Sequence, residues 1–370
     1  MENQASININ NRKSNFELLR IISMLMIIGH HLVLHSDFCF STVDVYITTG
    51  QIIQLINSIW ITFLKIIGKV GVDIFILISG YFLINLNIKK LLKIVFQAMF
   101  YSIVLYCTTK YNEIFRDAII QNIIAPLDNW WFIQTYFVLC FLSPFINRLL
   151  KSLNKNEYIL LLIVLFMINV IQPTLGLVVS NFDRDNVSTF IFLYALGRYI
   201  KLYSKNYYSK KKLLIICAFV LLTTVFLNVV EPIVASYIDY SSFFKPEFAK
   251  EGNLFVITIS VIIFIIFKQI DIKSNMLINT ISKTTLGVYL IHEYNYLREI
   301  IWIKMFKNNL FQNSPFLIPY SILQIFIVFV LCSIIEYIRE ILIENRIDGI
   351  FSKISDLLNI YLNKIINKIS

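Results

Sequence analysis

The chain has 370 residues, 57% of them hydrophobic and only 15% charged, with 31 Phe and 20 Tyr. Soluble domains average about 45–50% apolar and about 25% charged residues, so this composition cannot coat a water-exposed surface. The net charge of +10 would suit a nucleic acid, but the basic residues sit in short segments between apolar runs, a membrane-topology pattern that excludes that partner.

Residues 1–16 are polar, with Arg12 and Lys13 ahead of the first apolar run. No small-x-small cleavage site follows Ile28-Gly29-His30-His31, so this run reads as an uncleaved first span. A span needs about 20 apolar residues. The clearest runs are 19–35, 70–86, 94–109, 130–147, 158–179, 213–230 and 316–335, with shorter ones at 188–203, 254–267 and 284–296. The expected fold is an all-α integral membrane protein with about ten transmembrane helices. Residues 51–67 carry Gln51, Gln54 and Asn57 and are expected to lie as a helix on the outer surface. With the N-terminus inside, inner segments hold 21 Lys and Arg and outer segments 10. That bias predicts cytoplasmic termini. Residues 1–336 then form the membrane domain. Residues 337–370 alternate Ile and Leu with charged residues and Asn at helical spacing, as expected of a cytoplasmic amphipathic tail. The longest outer loops are 231–252 and 112–129. Five cysteines without close spacing predict neither a disulfide framework nor a metal site.

Ionisable groups inside spans are costly, and each is a candidate for function. The first span carries Glu17, Arg20, His30 and His31, with His35 just beyond, so three of the chain's four histidines fall within six residues. At about 100° per residue, Arg20 and His31 differ by about 20° and stand about 16 Å apart along one face. Glu17 lies within about 60° of that line, and His30 about 80° to the other side. The second span contains Asp73 and Ser79-Gly80-Tyr81, where Gly permits close helix approach and Ser bonds across helices. Lys89, Lys90 and Lys93 follow, either as topology determinants or as a phosphate-binding cluster at the mouth of a cavity. Trp130 and Trp131 open the fourth span, as interfacial aromatics do. The ninth carries Gly287-Val288-Tyr289-Leu290-Ile291-His292-Glu293, whose His–Glu pair is hard to explain by packing alone.

Together these stretches resemble the acyltransferase-3 family, bacterial membrane O-acyltransferases that modify surface polysaccharides. The family's basic residue, ten intervening positions and His correspond to Arg20 and His31. Its F-x-x-x-S-G-[FY] signature, preceded by an acid, corresponds to Phe75, Ser79, Gly80 and Tyr81 with Asp73. Its W-F and later Pro correspond to Trp131, Phe132 and Pro144. Its late G-[IV]-Y-L-x-H corresponds to Gly287, Val288, Tyr289, Leu290 and His292. The sequence departs from many members in having Lys89, Lys90 and Lys93 where arginines and often a proline stand. Lysine offers phosphate a point charge without arginine's fork.

The resemblance implies transfer of an acyl group, usually acetyl, from a cytoplasmic acyl-CoA to a hydroxyl of a cell-surface or lipid-linked saccharide. His31 would be the base or a covalent acyl relay. Arg20 would orient donor phosphates or stabilise developing negative charge. Asp73, Ser79, Tyr81 and His292 would line the cavity, with Glu17 and Trp131 beside them and Lys90 and Lys93 toward the donor. The expected setting is the bacterial plasma membrane, with acetyl-CoA as donor substrate and no metal or nucleic acid. The competing reading is a transporter or flippase for a glycan or lipid-linked sugar, which buried charges in a polytopic chain suit equally. Against it, the chain shows no matched pair of Gly/Pro-interrupted spans in two halves.

Overall fold

In the computed structural model the first helix, α1, is Ser14–Leu34. The structure describes residues 12–41, 43–109, 123–175, 187–205, 208–237, 248 and 252–369. Most of the two outer loops lies outside the described residues, as do Lys110, Arg116, Arg184, Lys245 and Lys250 of the charge count.

After the short α2, Val43–Thr48, come α3, Ile52–Phe82, and α4, Ile88–Thr109. Next stands α5, Trp131–Ser152. Helix α6, Lys155–Phe166, begins at a capping box, where the Asn154 side chain accepts from the Glu157 amide and Glu157 accepts from the Asn154 amide. It runs through a π-turn, Met167–Ile171, into Gln172–Leu175. Then follow α7, Val187–Tyr203; α8, Lys210–Tyr237; and α9, Leu254–Lys268. The short helices α10, Met276–Lys283, α11, Thr285–His292, and α12, Asn295–Glu299, lead to α13, Leu317–Arg339. A π-turn, Glu340–Glu344, joins α13 to α14, Asn345–Ile369.

The described parts of the ten apolar runs fall mostly on helices, and the described residues contain no strand. Five helical segments are long and apolar enough to cross a membrane: Ser14–Leu34, Ile88–Thr109, Trp131–Ser152, Lys210–Val234 and Leu317–Tyr361.

Helix α3 is the axis of the bundle. It runs antiparallel to α1, with Tyr81 and Phe82 on Phe16 at one end and Gly68 under His30 toward the other. On its opposite side a Cβ at Gly80 would strike the backbone of Tyr194 in α7, and one at Gly197 the backbone of Leu77. Small residues let helices pack backbone to backbone where lipid supplies no hydrophobic drive between them. The expectation of a surface-lying helix at 51–67 is overturned, because these residues form one 31-residue helix with the second span. Of the polar residues that suggested water, Asn57 is satisfied by protein. Asn57 Nδ2 donates to the carbonyls of Gln312 (2.8 Å) and Ser314 (2.9 Å), and Trp60 Nε1 donates to Ser321 Oγ at 2.9 Å.

Candidate active site

A cavity of about 520 Å³ lies among α1, α3, α4, α5, α11 and α13. Arg20 and His31 both line it, so it extends about 16 Å along α1. Its Arg20 end is charged, with Arg12, Lys283, Arg339, Glu340 and Glu344. Its walls are aromatic, formed by Phe75, Trp131, Phe132, Tyr136 and Tyr289.

His31 is buried, and its Nδ1 lies 2.8 Å from Nε2 of His292. Nδ1 of His292 lies 2.6 Å from the Val288 carbonyl oxygen. A carbonyl only accepts, so a neutral His292 carries its hydrogen on Nδ1 and accepts at Nε2. His31 therefore donates from Nδ1, which leaves the lone pair on its Nε2 for a group in the cavity. One main-chain carbonyl thus sets two tautomers in series. Glu293 Oε2 stands 3.2 Å from His31 Nδ1. The ligand atoms of His31, His292 and Glu293 lie within 4.8 Å of one another, close enough to suggest a metal. However, two nitrogens on one tetrahedral zinc stand roughly 3.3 Å apart. The 2.8 Å separation here is a hydrogen bond.

Arg20 Nη1 donates to Glu17 Oε1 at 2.7 Å. Glu17 also accepts from Arg12 (3.4 Å) and from the Ser282 hydroxyl, tying α1 to α10. It does not line the cavity itself. His30 turns away from this face and meets the Lys65 carbonyl at 3.0 Å, as the helical offset predicts.

The other sequence-predicted residues separate. Ser79 and Trp131 line the cavity, and His292 stands behind His31. Asp73 and Tyr81 do not line it, contrary to expectation. Phe75 and Ser79, four apart on α3, share the cavity face, whereas Asp73 and Tyr81 are each two residues from one of them, about 200° around the helix. Asp73 accepts from Ser260 Oγ of α9 at 3.3 Å. Tyr81 packs on Phe16 and Phe264, with the Lys201 ammonium 4.7 Å over its ring. Lys90 is exposed, and neither it nor Lys93 lines the cavity. Lys93 bonds Asp348 (2.6 Å) and Glu344 (3.2 Å), and Lys89 bonds Asp348 (2.7 Å).

A second buried cluster escaped the sequence reading. Glu336 accepts from Gln97 Nε2 (2.9 Å), the Tyr101 hydroxyl (2.7 Å), and Nε (2.9 Å) and Nη2 (2.8 Å) of Arg339. Arg339 Nη2 also donates to Glu344 at 2.6 Å. The Glu336 carboxyl lies against Gly287, where a Cβ would overlap it. That contact explains the glycine of the late Gly-Val-Tyr-Leu stretch. The available signal was an acid and an arginine three positions apart just past an apolar run.

Residues 13–337 match the family model described as an acyltransferase domain, Acyl_transf_3. The chain belongs to the acyltransferase-3 family. Membership makes it a membrane acyltransferase that moves an acyl group from a donor to an acceptor. No curated protein and no solved structure matches the chain. The family match includes His31, His292 and Glu336 and ends before α14 begins at Asn345.

Proposed function

We propose that this acyltransferase transfers an acetyl group from cytoplasmic acetyl-CoA to a hydroxyl of a cell-surface or lipid-linked saccharide, at the bacterial plasma membrane. In this reading the bundle has about ten spans with both termini cytoplasmic, and the Arg20 end of the cavity faces the cytoplasm. The observation that carries it is the His31–His292–Val288 chain, which leaves His31 Nε2 as an acceptor beside the cavity.

The donor enters with its thioester toward His31. His31 Nε2 takes the proton of the acceptor hydroxyl as the oxygen attacks the thioester carbon. The C–O bond forms, the C–S bond breaks, and the thiolate leaves with the proton from His31 as free thiol. Arg20, clamped by Glu17, presents fixed positive charge to the donor. Trp131 and Ser79 shape the wall beside the acyl group.

His31→Ala should abolish thiol release from labelled acetyl-CoA by the purified protein, and acetylation of surface glycans read by mass spectrometry, at unchanged protein level. Wild-type acetylation in that variant would overturn the reading. An acetyl group found on His31 itself by peptide mass spectrometry would replace the base role with a covalent relay.

A further inference from the structure

The mechanism above makes no use of Glu293, yet its carboxylate is buried where α11 ends. Oε2 lies 3.2 Å from His31 Nδ1 and 3.1 Å from His35 Nε2. Oε1 lies 3.3 Å from His35 Nε2 and 3.3 Å from Arg298 Nη1. Removing a carboxylate from water is costly unless its partners are close and well placed. Here the partners come from α1 on one side and α12 on the other.

The surroundings of His31 show what the carboxylate is for. Ionisable groups near it include His30, His35, His292 and Lys69, all neutral or cationic. When Nε2 takes a proton the ring becomes an imidazolium. Its Nδ1 hydrogen is already given to His292 Nε2, which accepts without supplying charge. Glu293 is the carboxylate at ion-pair distance from that ring.

We infer that Glu293 is a positioning residue for acyl transfer. Its carboxylate balances the charge that forms on His31, and His35 and Arg298 hold it aimed. Base, tautomer-setting group and counter-ion then become three separate side chains, His31, His292 and Glu293. This rests on reading His31 as the base. A packing clamp between α1 and α11 is the competing role for the same contacts.

Glu293→Gln preserves shape and removes the charge. The test measures free-thiol release from acetyl-CoA, with water as acceptor, by the full-length protein in lipid nanodiscs. The expected result is a fall in kcat of about 10²-fold or more, with the donor KM within twofold and the thermal midpoint unchanged. Glu293→Asp should recover part of the loss. A kcat near wild type, or a loss that tracks a lowered thermal midpoint and a raised KM, overturns the proposal. If Glu293→Gln fails to insert, Arg298→Gln decides instead, with a several-fold fall in kcat alone expected and wild-type kcat counting against. An inactive His31→Ala beside a fully active Glu293→Gln removes only this inference, whereas an active His31→Ala removes the base reading as well.

Discussion

At the scale of single residues, the informative contrast is between His30 and His31. They are adjacent in sequence, yet one meets a main-chain carbonyl of α3 and the other lines the cavity. His30→Ala should keep at least half of the wild-type acetylation rate while His31→Ala loses it, and equal loss in both would refute the facing of α1. This contrast was legible in the sequence because helix periodicity is a local property. The partners of His31 were not. His292 lies 261 positions away in sequence, and only tertiary packing brings it to 2.8 Å. The separation of Ser79 from Asp73 and Tyr81 was also readable, since six and two steps along a helix turn the face by about 120° and about 160°. The shared motif drew all three into one expected site, although only Ser79 reaches it.

At the scale of elements, the apolar runs became helices because a spanning segment must satisfy its backbone within itself. That requirement writes a local signal into about 20 residues at a time. The stretch 51–67 misled because a polar side chain bonded to protein looks the same in one dimension as one bonded to water. Asn57 is buried against the chain that precedes α13. The contact between α3 and α7 gives a sharper test. At Gly80 the obstacle to a side chain is the backbone of Tyr194, which cannot rotate aside. Gly80→Ala should therefore separate the two helices at a cost of about 1–3 kcal/mol. The readout is a lowered thermal midpoint in nanodiscs, and a wild-type midpoint would show that α7 yields freely. Tyr101→Phe leaves Glu336 three of its four donors. It should cost roughly 1 kcal/mol, read in the same assay.

At the scale of the whole molecule, the acyltransferase domain and the segment after it meet across ion pairs. Lys89 and Lys93 on α4 reach Asp348 on α14, and Lys93 and Arg339 share Glu344. A single exposed pair is worth about 1 kcal/mol or less, but these share their charges. Phe96 adds an edge contact to Phe351, 5.4 Å between ring centres. Asp348→Asn should free the start of α14, seen as faster amide hydrogen exchange over residues 345–355 with α4 unchanged. Unaltered exchange would place the attachment in the aromatic contact. None of this pairing was visible in the sequence, where the three lysines read as topology signals or as phosphate ligands.

The attachment also has a consequence in time. Lys89 is made 259 positions before the aspartate that binds it. At synthesis rates of about 5–20 residues per second, those lysines wait roughly 13–50 s for their partner. Through that interval α4 presents both lysines without the carboxylate that later joins them. The pairing is made late, by a helix that leaves the ribosome well after the α4 it binds.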